Sequence, residues 1–459
     1  MAIFNNPQSR QLYQMTWPML IGMLAIASNQ LIDSAFIGQL GSQPLAVVGF
    51  SMPIYQVIIG IQVGLGIATT SLISRALGAQ QEHYAQQLGC LIIITGFLLM
   101  TLLCLLLWHI QQPIAINLGA DKSLLPLLRA YWMPWLLSCW LGAMLYFGFS
   151  ILRARGDTRL PATALVFSSL MNIALDPLFI FVFDLGLAGA AWATVSAFTG
   201  GCLIIYKPII KRQLIRLPST INMIVTALRR LFSFMTPALL SQFIPPLSAL
   251  LATALVATFG NEAVATWGLG NRIEFFSIIL VLSLTMSMPA MIGCLMGENN
   301  LTGIDQLIRI AIRFIILSQV IIALITALLS VAISSALTTD ATIAQQFNQY
   351  LLLVPISYSG LGISMLLVSA CCAMGMPGLA LIMSALRLLV CYLPLLWLGA
   401  ESGGLIGLFI GAAAGNFCAG YMSWLVYQNH LKHLHAQQQS HSGYQSMLNI
   451  QRCPEGSEV

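Results

Sequence analysis

Runs of about twenty residues without a charge recur along the whole chain, and they restrict its fold more than any other feature. The stretch from Leu91 to Trp108 is apolar on every side. A hydrocarbon core of roughly 30 Å is crossed by about 20 apolar residues in a helix. Barrel strands would instead alternate every second residue over about ten positions. Twelve spans are predicted: 12–38, 45–74, 88–110, 124–149, 160–182, 187–206, 233–259, 263–294, 308–336, 346–373, 378–398 and 404–427. Composition agrees. Charged residues make up 7% of the 459 positions and hydrophobic ones 58%, whereas a soluble domain carries about 25% charged residues. The reading is an all-α integral membrane protein of 12 transmembrane helices with no separate soluble domain.

The net charge of +5 does not point to nucleic acid, because its distribution follows the membrane. With the N-terminus inside, one side holds Arg10, Arg75, the Arg153/Arg155/Arg159 cluster, Lys207, Lys211, Arg212, Arg216, Arg229 and Arg230. Arg309, Arg313, Lys432 and Arg452 complete fifteen of the nineteen basic residues. The opposite loops hold Asp121, Asp184, Glu262, Asp340 and Glu401. The positive-inside rule therefore puts both termini in the cytoplasm. The cysteines lie mostly inside predicted helices and form no CxxC pair, so they read as small packing residues. No cleavable signal is visible, and the first apolar segment reads as a helix that stays.

The longest polar stretch between spans, Lys207 to Arg230, divides the sequence nearly in two. Compared at an offset of 219 residues, the halves align without gaps over some seventy positions. Pro18 falls on Pro237, Gly41 on Gly260, Gly49 on Gly268, Gly78 on Gly297 and Gly156 on Gly375; after one small shift Gly186-Leu187 falls on Gly404-Leu405. The expected organisation is an N-lobe (1–206), a cytoplasmic linker (207–230), a C-lobe (231–430) and a disordered polar tail (431–459). Six helices per half is an even number, so both lobes enter from the same side and a pseudo-twofold axis lies along the membrane normal. Secondary transporters are commonly built so, with substrate near the midplane. A duplication kept only for packing is the alternative.

Ionisable groups within a bilayer are costly and are functional candidates by default. Asp33 lies in the outer half of helix one, in Ser28-Asn29-Gln30-Leu31-Ile32-Asp33. Asp176 lies in helix five, in Asn172-Ile173-Ala174-Leu175-Asp176-Pro177. Asn172 and Asp176 stand four residues apart, on one helix face, and Pro177 frees the carbonyl of Ile173. A carboxylate out of water favours its neutral form, more so beside a second one. Should the two acids meet, they make a site that takes and releases a proton. Two hydrated acids near the outer interface, with Pro177 beginning a helix end, are the plainer reading. The second half repeats neither: Asp33 falls on Ala252 and Asp176, after the small shift, on Pro394.

That half has its own misfits. Arg272 and Glu274 in helix eight are two residues apart and do not face each other. Arg387 in helix eleven is placed to snorkel to the inner side. The three read as lobe-packing or cavity-lining residues, with substrate contact as the alternative. Pro18 with Gly22 is the leading candidate for a bend in helix one. No P-loop, GxSxG or HExxH motif occurs, so neither an enzyme nor a cofactor is expected.

Several motifs together resemble the MATE (multidrug and toxic compound extrusion) family, and within it the DinF-like branch. They are Trp17-Pro18, Asp33 with Gly38-x-x-Gly41, Ala46-Val47-Val48-Gly49, and Ser74-Arg75-Ala76-Leu77-Gly78-Ala79. Arg155-Gly156-Asp157-Thr158, Asn172-x-x-x-Asp176-Pro177 and Gly186-Leu187-x-Gly189-Ala190-Ala191-x-Ala193-Thr194 follow. The second half echoes them in Ala263-Val264-Ala265 and Gly270-Asn271-Arg272. The resemblance covers the chain to about residue 430. It implies two six-helix lobes around a cleft in a prokaryotic inner membrane, exporting amphipathic or cationic drugs by alternating access against an inward H⁺ or Na⁺ gradient. By position, Asp33, Asn172, Asp176 and Thr194 match the family's N-lobe cation-coupling site, with Tyr131 beside it; Pro18 and Gly22 match the helix-one bend. The other major branch couples Na⁺ through acids in helices seven and ten; here helices seven and ten contain none. The expectation is H⁺ antiport by a monomer, with no metal site certain. Na⁺ at Asp33, Asn172, Asp176 and Thr194, or a lipid-linked precursor flippase of the same superfamily, are the alternatives.

Overall fold

The computed structural model describes residues 7–117 and 121–450. Among them, eleven segments are long and apolar enough to cross a membrane. We label the first ten α1 (Pro7–Gln39), α2 (Ser42–Gly78), α3 (Glu82–His109), α4 (Leu125–Ala154), α5 (Arg159–Val182), α6 (Gly186–Lys211), α7 (Ile221–Ala257), α8 (Asn261–Gly297), α9 (Leu301–Leu328) and α10 (Ala341–Ala373). The eleventh, Pro377–Ala436, is two passes. Gly403 and Gly404 leave helical geometry inside it, with φ of −143° and 60°, so α11 (377–402) and α12 (from 405) make the expected twelve. No strand occurs among the described residues. The helix of α12 continues into the polar segment, to Ile450. No glycine or proline interrupts 421–442, and extending an existing helix avoids the unfavourable nucleation step. Residues 451–459 lie outside the described residues.

The repeat is visible in the backbone. The six described glycines with positive φ form three pairs at repeat-related positions: Gly41 and Gly260 (105° and 103°), Gly156 and Gly375 (80° and 81°), Gly186 and Gly404 (53° and 60°). Only glycine adopts such angles without a Cβ penalty, so these turns are written into both halves. Contacts between the halves are reciprocal as well. A β-carbon on Gly78 would collide with the carbonyl of Cys294, and one on Gly297 with the carbonyl of Arg75; Arg75 and Cys294 are themselves repeat partners. A two-fold relation requires this exchange of roles.

The halves also trade helix ends. Leu12 and Met15 of α1 are buried in the core of the second half, while Leu231 and Met235 of α7 are buried in the core of the first. Leu12 and Leu231 are repeat partners. These contacts gather at the end of the molecule that carries the arginine clusters, where Thr16 and Ser287 share a 2.9 Å hydrogen bond and Ser71 donates to the carbonyls of Cys372 and Ala373. Toward the other end the pair Gly49 and Gly268 has no atom within 4 Å of either Cβ position. The two halves are thus sealed at the basic face.

Candidate functional site

In the first half, α1, α4, α5 and α6 bring the predicted polar residues together. Asp176 is fully buried and Asn172 nearly so. The one-turn spacing places the Asn172 amide so that its Nδ2 donates to Asp176 Oδ1 at 3.2 Å. The same nitrogen donates to Thr194 Oγ1 of α6 at 3.3 Å, and the Thr194 hydroxyl donates to the Ala190 carbonyl at 3.0 Å. Pro177 does not end α5: the helix passes into a π turn over Leu178–Val182, a distortion often found at functional sites. Asp33 is half-buried on α1 and lies within electrostatic reach of both Asp176 and Tyr131 of α4. Tyr131 is buried and stacks on Trp135.

Three buried oxygens here take no hydrogen bond: Asn29 Oδ1, Asp33 Oδ1 and Asp176 Oδ2. Asn29 and Asp33 share a face of α1. An ionised carboxylate out of water is tolerated only when paired and hydrogen-bonded, and among the described residues no basic group stands within 4.0 Å of either acid. The cluster consists of acceptors in search of a donor or a cation. A proton on one carboxyl would supply an O–H to a neighbouring oxygen; a bound monovalent cation would instead draw on several oxygens at once.

Pro18 lies within a continuous helical α1. Gly22 is buried, and a β-carbon on it would press against Leu165 and Ala162 of α5, so the glycine permits the approach of α1 to the helix bearing Asp176. Two residues of the cluster were not anticipated. Asn29 was visible in the same motif as Asp33. Tyr55 of α2 lies within electrostatic reach of Tyr131, and the 219-residue offset that sets Tyr55 on Glu274 and Tyr131 on Tyr350 would have revealed it.

The second half gathers a different group. Glu274 of α8 is half-buried and lies within electrostatic reach of Arg387. Its field also reaches Tyr350 and Tyr358 of α10 and Tyr392 of α11. Arg387 is 9% exposed, not snorkelling as expected. It sits in a π turn over Leu386–Tyr392 among buried groups of the second half. No salt bridge within 4.0 Å joins it to Glu274, and its Nε has no acceptor. Tyr350 and Tyr358 share a hydrogen bond of 3.1 Å, and Asn416 donates to Ser357 at 3.0 Å. Arg272 is exposed and outside this group.

Comparison with known proteins matches this duplication. The MatE family model matches the chain twice, over residues 18–178 and 237–398. The structure of the Vibrio cholerae MATE transporter VcmN in the bent form is 49% identical with a TM-score of 0.90, covering 93% of this chain and 98% of that one. The FAD transporter of Shewanella oneidensis is 29% identical over 436 residues, 93% of this chain and 96% of its own length. The multidrug export protein MepA of Staphylococcus saprophyticus is 27% identical over 270 residues, 58% of this chain and 60% of that one. A twelve-pass helical fold, a family model matched in both halves and a full-length likeness to a MATE structure agree: the chain belongs to the MATE family of membrane transporters.

Proposed function

We propose that this transporter is a secondary active exporter that moves amphipathic or cationic small molecules by alternating access, driven by inward H⁺. One observation carries the reading: two carboxylates of the first half, Asp33 and Asp176, face one another's field in a cluster with three unsatisfied buried oxygens and, among the described residues, no basic group within 4.0 Å. Asp33 is the exchanging acid. Asp176, Asn172 and Thr194 hold its surroundings, with Tyr131 and Tyr55 nearby. A proton arriving from outside neutralises Asp33, removes the attraction for a cationic cargo and lets α1 rearrange about Pro18 and Gly22. This assignment sets the basic face, and both termini, in the cytoplasm of a prokaryotic inner membrane. It follows the DinF-like branch, and a single chain carries the whole site.

The test is efflux from a drug-sensitive host and from proteoliposomes given a pH gradient or a Na⁺ gradient separately. Transport driven by pH alone and lost in D33N is the expected result. Transport driven by Na⁺ alone would assign the same oxygens to a sodium ion, since Asp, Asn and Thr oxygens suit a hard cation. Normal pH-driven transport in D33N would overturn the assignment.

The cargo has a second reading, favoured by the near full-length likeness to a protein named as an FAD transporter. A flavin dinucleotide combines flat aromatic rings with two phosphates. Counterflow of a labelled flavin nucleotide against a cationic dye in the same vesicles separates the two cargo classes.

A further inference from the structure

Where the halves meet near the basic face, α2, α4, α8 and α10 line a small, partly open cavity of about 40 Å³. Gly66 and Thr70 line it from α2, Tyr146 and Arg153 from α4, Met286 from α8 and Ser369 from α10. Arg153 is 4% exposed. Its Nη2 donates to Ser150 Oγ at 3.0 Å, and its guanidinium lies 5.1 Å from the centre of the Tyr146 ring. Its Nε is buried and has no acceptor. Among the described residues no carboxylate stands within 4.0 Å of it, and the ion pairs there are Arg155 with Glu82, Arg212 with Asp157 and Arg309 with Asp305.

A guanidinium shielded from water without an anionic partner is among the costliest arrangements a fold can hold, and one aromatic face compensates only part of it. Two other polar side chains of the cavity are already engaged. Thr70 donates its hydroxyl to Gly66 O and Ser369 to Thr285 O, so their hydrogens are committed to the backbone. Arg153 and the phenol of Tyr146 are left as donors along the space, and the guanidinium has the fork geometry that suits an oxyanion. The small space has room for nothing larger than a compact group and excludes a whole dinucleotide.

We propose that this cavity is a binding site for a compact oxyanion of the phosphate type, held by Arg153 between the two halves. Its walls come from both halves, so the site exists only while the basic face is sealed. A ligand that binds one of two states shifts the population toward it by its difference in affinity. An anion at Arg153 therefore holds the basic face shut and slows the return step of transport. The site is independent of Asp33 and of the choice of coupling ion.

The experiment uses the full-length protein in detergent, and then in vesicles. Thermal unfolding is followed with inorganic phosphate, with a nucleoside monophosphate, and with phosphatidylglycerol against neutral lipid, which separates free phosphate, a phosphorylated metabolite and a lipid headgroup as the source. The wild type gains several degrees with at least one of these at millimolar concentration, and R153K keeps part of the gain. R153Q loses it. M286F, which fills the cavity from α8 and leaves Arg153 in place, also loses it and guards against a misfolded R153Q. In vesicles the same anion slows dye transport by the wild type and not by M286F. No response to any of the three, or an equal response in M286F, overturns the proposal. Failure of D33N to alter pH-driven transport would leave this site untouched.

Discussion

The two halves share a backbone and differ in charge. Tyr55 and Tyr131 of the first half stand where the second half has Glu274 and Tyr350. The first cluster holds two acids with no nearby base. The second holds one acid and one base with a bonded tyrosine pair. Fully ionised, the first carries two negative charges in a largely buried place; the second carries none in sum. A site that cannot stay ionised alone must bind and release a cation, whereas a neutral pair can stay as it is through a cycle. The duplicated frame supplies symmetry of movement, and the unduplicated acids supply its direction.

The sharpest way to break this comparison is to neutralise one acid in each half. D33N should bring pH-driven efflux down to the vector background, while E274Q should keep most of it. Drug binding to the wild type should weaken as pH falls, because a protonated Asp33 no longer attracts a cationic cargo; in D33N it should be weak and flat with pH. An E274Q variant as inactive as D33N would move the coupling into both halves.

Next in size is the frame itself, where the halves should behave alike. Gly78 and Gly297 each face a carbonyl of the other half at the basic seal. G78V and G297V should both prevent closure there and reduce transport severely and by similar amounts. Cysteine accessibility at the basic ends of α2 and α8 should rise in both. A large effect in one and none in the other would show that the seal is not shared as the reciprocal contacts require.

A smaller effect tests the neutral pair. R387M leaves Glu274 without its positive neighbour and should cost about 1–3 kcal/mol, the range for stranding a buried polar group. Adding E274Q removes the stranded charge and should return part of the loss, measured as the unfolding midpoint in one detergent. Equal midpoints for the single and double variants would mean that the two side chains do not stabilise each other.

Much of the frame was legible because lipid imposes it. Apolar runs of spanning length and paired Gly and Pro positions placed the twelve passes to within a few residues at many ends. Asp33, Asn172 and Asp176 stood out because polar residues in such runs are rare, and the i to i+4 step put two of them on one face; Thr194 came from the family resemblance. Tyr131 was found by resemblance, and Tyr55 escaped because tyrosine is ordinary in a membrane helix. Arg387 was misplaced because sequence gives depth along a helix but not direction around it; the π turn at Leu386–Tyr392 turns it inward. The cavity at Arg153 was invisible for another reason, since its walls come from four helices in both halves.

The finest test concerns Thr194, because the second half has nothing to compare with it: its counterpart is Ala412, which is buried. Thr194 Oγ1 takes one of the two hydrogen bonds given by Asn172 Nδ2. T194A leaves the amide bonded to Asp176 alone and free to turn, and a lost hydrogen bond of this kind is worth about 0.5–1.5 kcal/mol. Transport should fall roughly two- to tenfold, since 1.4 kcal/mol is a tenfold change. T194S, which keeps the hydroxyl and loses only a methyl, should restore most of it. Were T194S no better than T194A, the threonine would serve by filling space against α5, and the buried network of the first half would end at Asn172.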